Sequence, residues 1–570
     1  MKKNQWIHQV TPEKEIIIKL RSDIGVDHTI AHLLGQRAIE SYDKAKTFFR
    51  PKLDQLHEPI LMKDMNQAVD RILQAIKNKE NILVYGDYDV DGTTAVAMIC
   101  LFFKKLHLTI EYYIPDRHEE GYGISFKGID FAILKGISLI IALDCGIKAF
   151  AEIAYAKKKG IDFIICDHHL PGENIPKAFA VLDPKRSDCN YPFKDLSGCG
   201  IGFKLIQALA QALGLSQEHV YKYLDLVAVS IAADIVPIID ENRILTFYGL
   251  QKINLNPSKG LYALTKEMIG PISISNIVFQ IAPKINAAGR IDHAKQAVEL
   301  LLTDTEKQSD QLATHISDLN ASRKDLDQKT TQEALDLIET QQEQEHYSTV
   351  VYKPHWHKGI LGIVASRLIE TYYRPTLVFT KNQGKLVASA RSIEGFDLYK
   401  TLEICAVYIE QFGGHKHSAG LTLDPKKFTD FKAHFEKTVK NTIGETQRLP
   451  QIKIDHEIYL TEITSKFLRI LKQFEPFGPQ NMQPVFLSKK VFDNGFGTKV
   501  GSDQSHLKLN IYQKRDSKTF TAIGFGMGKL LNLAKSGPID IVYTIEEHYW
   551  KGNTFIQFYL KDLRRHDPRL

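Results

Sequence analysis

Asn81-Ile82-Leu83-Val84-Tyr85-Gly86-Asp87-Tyr88-Asp89-Val90-Asp91-Gly92 is an apolar run that ends in alternating acids. NILVYG has the length and apolar content of a buried strand. The TTAVAMICLFFKKL that follows reads as a helix. Working outward, AVDRILQAI upstream has helical spacing. Downstream, LTIEYYIP reads as a strand, FAILKG as a helix and SLIIALD as a strand. AEIAYAKKKG is a helix closed by Gly160, and DFIICD is a further strand. Strands alternating with helices specify an α/β domain with a mostly parallel sheet.

The acids sit where these strands stop. NILVYG runs into Asp87, Asp89 and Asp91, LIIAL into Asp144-Cys145-Gly146, and DFIIC into Asp167-His168-His169. In a parallel sheet such ends share one edge, where open α/β sheets place their ligands. Another acid, Asp234, lies in the apolar helical stretch DLVAVSIAADIVP and needs a partner there. Carboxylates brought together repel, so cations are expected to hold them. Oxygen ligands with one or two imidazoles suit Mn²⁺ or Mg²⁺. Two ions about 3.5–4 Å apart, bridged by a carboxylate, can clamp a phosphate and generate hydroxide. Helix capping is the competing role for Asp87, Asp91 and Asp144, each of which precedes or begins a helix.

The rest of the chain frames this domain. At 570 residues it exceeds one core, and about three or four domains are expected. Residues 1–60 read as a helical lead-in, 61–304 as the first α/β domain and 305–345 as a long polar stretch without Pro or Gly. Leu312, Ile316, Leu319 and Leu326 give that stretch helical spacing. Wholly helical, it spans roughly 60 Å and connects two domains; a helical hairpin is the alternative. A second α/β pattern covers 346–445, RLPQ reads as a linker, and 450–565 is β-rich, suggesting a small barrel or sandwich. A net charge of +6 permits an anionic partner without requiring one. The six cysteines form no CxxC pair, which fits a reducing cytoplasm and argues against structural zinc. No run of about 18 apolar residues appears, so no membrane span is expected. The start, MKKNQWIHQV, has no apolar h-region, and no signal peptide is expected.

DYDVDG, LDCGI, DHH and SIAADIVP, in that order, resemble the motifs of the DHH phosphoesterase superfamily. Further stretches resemble its bacterial exonuclease branch: IPDRHEEGYG, LSGCGIGFKL, PKINAAGRIDHA, WHKGILGIVASRL, ARSIEGFDL, GGHKHSAG and LKQFEPFGPQN. The resemblance implies a DHH domain and a DHHA1 domain joined by a long helix, then an OB-fold. It implies 5′→3′ release of mononucleotides from single-stranded DNA, in repair and recombination. It places Asp89, Asp91, Asp144, His168 and Asp234 at metal-binding positions, with Asp144 bridging. Asp87 would bind metal or position water, Asp167 would orient His168, and His169 would contact the phosphate. Ala388 and Ala390 stand where glycine is common in the family, and Asp292 stands in place of another.

Phosphate-holding groups are expected at Arg290 in NAAGR, at Gly414 and His415 in the glycine-rich turn, and, by the resemblance, at Arg391 and Ser392. Arg367 would hold a terminal phosphate or form a helical salt bridge. Among Phe486, His506, Phe525, Tyr549, Trp550 and Phe558, most are expected in the barrel core. Trp550, at a hairpin tip, is the favoured base-stacking residue. The expected partners are single-stranded DNA, a single-strand-binding protein and a helicase, with the enzyme acting as a monomer. Two rivals remain: a phosphodiesterase of short oligonucleotides or cyclic dinucleotides, and a non-catalytic DNA-binding relative.

Overall fold

The computed structural model describes residues 4–108, 110–514, 518–550 and 553–569, with the backbone alone at Tyr549, Trp550, Asn553 and Thr554. The opening strand, Asn81–Gly86, lies second in a five-stranded sheet ordered Glu111–Tyr113, Asn81–Gly86, Ile137–Leu143, Asp162–Cys166 and Ala180–Leu182. Every pairing is parallel, as the alternation of elements requires. Side chains alternate between two cores. Ile82, Val84, Ile141 and Ile164 face one, and Leu83, Tyr85, Ile140 and Ile165 face the other. Covering both faces is why these strands read as continuous apolar runs.

Helix Val90–Lys105 packs on the first face with Gly198–Ala212 and Leu224–Ala233. Its start lies against the strand it follows: a Cβ on Gly92 would sit 2.4 Å from the Asp87 carbonyl oxygen. Only glycine permits that approach, so the acids stay at the sheet edge.

The polar stretch is one helix, Glu306–Thr340, of 35 residues. At 1.5 Å per residue it spans roughly 50 Å. Its buried positions, including Ala313, Ile316, Asn320, Arg323, Asp327, Thr330 and Ala334, recur every three or four residues and form one stripe. Ala313 and Ile316 join the first domain's core, whereas Ala334 and Ile338 pack with Trp356, Val364 and Leu368. The helix therefore bridges the α/β domains. The second has a mixed sheet ordered Ile409–His415, Ser418–Leu423, Lys385–Arg391, Thr376–Asn382 and Thr349–Tyr352.

The C-terminal sheet runs His456–Glu457, Phe486–Asp493, Ile539–Trp550, Asn553–Arg565, Phe520–Gly524, His506–Tyr512 and Thr498–Val500. Pairing of Phe492 with Tyr512 and of Asp493 with Ile511 closes it into a barrel. The N-terminal segment does more than lead in. Gln5–His8 pairs in parallel with Gln451–Ile454, a strand that begins on the last residue of the RLPQ stretch. Leu20, Ile30 and Leu33 share a core with Phe467, Phe486 and Tyr543 of the barrel. Arg243 of helix Asp240–Leu255 ties these parts together. Its guanidinium donates to the carbonyls of Phe48, Gln473, Phe474 and Glu475 at 2.9–3.1 Å and lies 3.8 Å from the Phe48 ring centre. All six cysteines are buried and free. Among the described residues, no helix is long and apolar enough to cross a membrane.

Candidate active site

The strand ends coincide. Gly86 pairs with Leu143, Leu143 with Cys166, and Cys166 with Leu182. The next residues, Asp87, Asp144, Asp167 and Asp183, therefore form a row of acids along the carboxyl edge. The backbone ladder continues into the row: Asp144 N–H donates to Cys166 O at 2.9 Å and Asp167 N–H to Leu182 O at 3.0 Å. Asp183 was not foreseen, because its strand, Ala180–Leu182, has only three residues and no periodicity to read.

Four segments meet at this edge. His168 Nε2 lies 3.1 Å from Asp144 Oδ1, 3.6 Å from Asp234 Oδ2 and 3.7 Å from Asp91 Oδ2. Asp87, Asp89 and Asp144 each bring a carboxylate oxygen within 4.8 Å of the other two. Asp91, His168 and Asp234 form a second such group, and Asp144, His168 and His169 a third. Asp144 thus belongs to groups on both sides. Its φ of 60° is left-handed, and the Gly198 backbone packs against it: a Cβ there would lie 2.6 Å from the Asp144 Cβ.

The acids divide their work. Asp89 is the helix cap, accepting Gly92 N–H at 3.1 Å. Asp91 does not cap its own helix. It accepts Gly198 N–H at 2.6 Å and Cys199 N–H at 2.7 Å at the start of another, and the Ser230 hydroxyl at 2.6 Å. Helix starts favour such anions. Burial, then Asp91, Asp89 and Asp234, push the Asp144 carboxyl well above the usual carboxylate range. Burial and Asp89 do the same to Asp87. Burial, then Asp91 and Asp89, lift Asp234 to about 8.

The residues present fit a divalent cation. Both ring nitrogens of His168 are buried and neither makes a hydrogen bond. Burial lowers its pKa, which keeps the imidazole neutral and available as a ligand. An orphaned neutral imidazole among crowded carboxylates is the donor set for Mn²⁺ or Mg²⁺.

Asp167 plays a different part from the expected one. It does not touch the His168 ring but accepts His169 Nδ1 at 2.7 Å, along with the backbone N–H groups of His168 and His169. Burial alone would raise the Asp167 carboxyl, but the His169 contact and Ile147 N–H outweigh it and bring it to about 2. Burial alone would lower His169, but Asp167 lifts it to about 8. Tyr122, also not foreseen, donates its hydroxyl to Asp144 O at 2.8 Å and sits 3.1 Å from His169 Nδ1.

Tyr88, between the metal-facing acids, also lines a cleft of about 480 Å³ between the two α/β domains. Arg117, His118 and Lys358 form its polar wall, and Ser389, Gly413 and Gly420 are among its small lining residues. Arg117 lies 4.6 Å from the Tyr88 ring centre. Arg290 donates to Gly359 O at 2.9 Å. Burial, then Arg117, Arg323 and Arg391, bring its pKa down to about 9, leaving it charged at neutral pH. Arg391 donates to Ser389 Oγ at 3.2 Å.

The remaining expected contacts fare unevenly. The Ser392 hydroxyl donates to Phe396 O at 2.9 Å and holds a loop. Gly414 and His415 lie in a β-hairpin, paired with Ala419 and Ser418. Arg367 lies 2.6 Å from Asp327, an ion pair between two helices and not within one. Phe486 and Phe558 are core, whereas Phe525 is exposed. The Trp550 side chain and the tip residues Lys551 and Gly552 lie outside the described residues. Arg117 and Lys358 sit inside recognised stretches, yet nothing local marked them as cleft residues.

The sequence model of the DHH family, N-terminal domain, matches residues 81–231; that of the DHHA1 domain matches 344–441, and that of the RecJ OB domain matches 454–562. The chain is 35% identical over 567 residues to the single-stranded-DNA-specific exonuclease RecJ of Bacillus subtilis (strain 168), covering 98% of this chain and 71% of that protein. It is 32% identical to the protein of the same description from Haemophilus influenzae, over 89% of this chain and 91% of that one. The crystal structure of RecJ in complex with Mn²⁺ from Thermus thermophilus matches with a TM-score of 0.83 at 26% identity, covering 99% of this chain and 80% of that chain.

Proposed function

The chain belongs to the RecJ family of DHH phosphoesterases, and from that premise we propose that it hydrolyses single-stranded DNA from the 5′ end with two Mn²⁺ or Mg²⁺ ions. The observation that carries the reading is the meeting of Asp87, Asp89, Asp91, Asp144, His168 and Asp234 beside a cleft lined by Arg117, His118 and Lys358.

Asp89, Asp91, Asp144, His168 and Asp234 are the proposed ion holders, with Asp144 shared. When bound, the ions supply positive charge to the phosphate and lower the pKa of an attacking water. The chain's own groups do the rest. Asp167 keeps His169 protonated at neutral pH, so that its imidazolium donates to a non-bridging phosphate oxygen. Arg117, Arg290, Arg391 and Lys358 hold the backbone phosphates. The cleft's confinement between two domains favours a single strand over a duplex. The exposed Phe525 offers a base-stacking surface further along the strand. A single-strand-binding protein and a helicase as suppliers of the strand, action as a monomer, a role in repair and recombination, and a cytoplasmic setting belong to the same proposal.

The test uses 5′- and 3′-labelled single strands with Mn²⁺ or EDTA. Release of labelled mononucleotide from the 5′ end, abolished by EDTA, is expected. Asp144→Asn is expected to lower kcat by about a thousandfold or more while the far-ultraviolet dichroism is unchanged. Metal-dependent cleavage by that variant at the wild-type rate would overturn the assignment.

A further inference from the structure

The connecting helix carries a charge cluster that the catalytic reading does not use. Asp327 is fully buried on Glu306–Thr340. Its Oδ2 accepts Arg323 Nη1 at 2.6 Å, and its Oδ1 lies 2.6 Å from Arg367 Nη2. Arg323 is one turn earlier on the same helix and also donates Nη2 to Asn320 Oδ1 at 2.7 Å. Arg367 comes from Leu361–Tyr372, in the second α/β domain. One carboxylate therefore clasps two guanidiniums across the joint between the helix and that domain.

The clasp lies close to Arg290, which bonds the cleft-lining Gly359. Arg323 and Arg391 are both near enough to press on Arg290. Helix Leu361–Tyr372 also packs closely on Arg391: a Cβ on Gly362 would lie 2.7 Å from Arg391 Nη2. A buried ion pair is weak support for stability, because desolvation offsets the attraction. Orientation is what a rigid guanidinium gains from it, since its planar fork matches phosphate only when aimed. Arg367 remains 39% exposed at its side chain, so it still faces solvent while pinned.

We propose that Asp327 is a positioning residue for the polynucleotide backbone: together with the buried Arg323 it pins Arg367, the exposed member of the clasp, so that this guanidinium meets an incoming phosphate. This rests on the single-stranded-DNA reading given above. A bland counter-charge role makes the opposite prediction. Removing a buried negative charge beside the cleft would then strengthen attraction for DNA.

Asp327→Asn separates the two, assayed on single-stranded DNA at saturating Mn²⁺. KM is expected to rise about tenfold with kcat within about twofold, the pattern of lost ground-state binding. Asp327→Glu, which keeps the charge, is expected to recover most of the loss. A KM that is unchanged or lowered in Asp327→Asn overturns the inference and leaves the exonuclease reading intact. A wild-type protein that does not cut single strands overturns both. Should Asp327→Asn fail to fold, Arg367→Lys takes its place, keeping the charge and losing the fork. A KM at least about threefold higher supports the inference, and an unchanged KM overturns it.

Discussion

Oδ1 of Asp167 accepts Nδ1 of His169 at 2.7 Å, and its other oxygen accepts Ile147 N–H at 2.9 Å. The carboxylate is thus locked in its ionised form and holds the neighbouring imidazole in its charged form. The row of strand-end acids is therefore not uniform. Asp144 is pushed toward protonation and Asp167 away from it, although both are buried on adjacent strands. The difference is hydrogen bonding: Asp167 accepts from backbone and imidazole donors, whereas Asp144 faces other acids.

That contact predicts a pH effect. His169 titrates at about 8, so its charged form declines as pH rises through that value. Asp167→Asn removes the largest raising contact, and the midpoint falls toward the ordinary histidine value. The high-pH limb of kcat is expected to move down by about one pH unit. Profiles for the two proteins at the same saturating metal concentration check this, and an unmoved limb contradicts it.

Crowding of the metal-facing acids predicts stability that depends on pH and metal. Asp234 holds its proton up to about 8 in the fold, against 3.8 for an ordinary aspartate. Between those values the folded state binds more protons than the unfolded state, so stability falls as pH rises. In EDTA, about 2–4 kcal/mol should be lost between pH 5 and 8. Mn²⁺ should remove or reverse the slope by replacing the protons. Thermal melts across that range, with and without the ion, measure both slopes; a flat curve in EDTA refutes the crowding argument.

Arg243 predicts mechanical coupling between distant parts of the chain. Its guanidinium satisfies carbonyls from the N-terminal segment and from the loop that follows helix Ser465–Lys472 in the C-terminal domain. Arg243→Ala orphans these acceptors and should cost about 3 kcal/mol. The loss is expected in urea unfolding, with proteolysis appearing first near residues 48–50 or 473–476. An unchanged midpoint would show that packing alone holds the joint.

What the chain itself determined was local. NILVYG, SLIIAL and DFIIC carry strand signals within a few residues, and each runs straight into its acid. A parallel sheet then needs only the order of elements to bring Asp87, Asp144 and Asp167 to one edge. Glu306–Thr340 was legible for the same reason, through its helical repeat. Roles that depend on a partner far along the chain were decided by tertiary structure. Nothing near Asp167 indicated that it would grip His169 and leave the His168 ring free. Nothing near Asp183 marked its short strand, and nothing near Arg367 indicated that Asp327 would clasp it. Those outcomes depend on register between strands and on helix packing across domains, where a shift of a few ångströms changes which groups meet. Periodicity fixes which face a side chain takes; which group it meets there is set only when the rest of the chain closes around it.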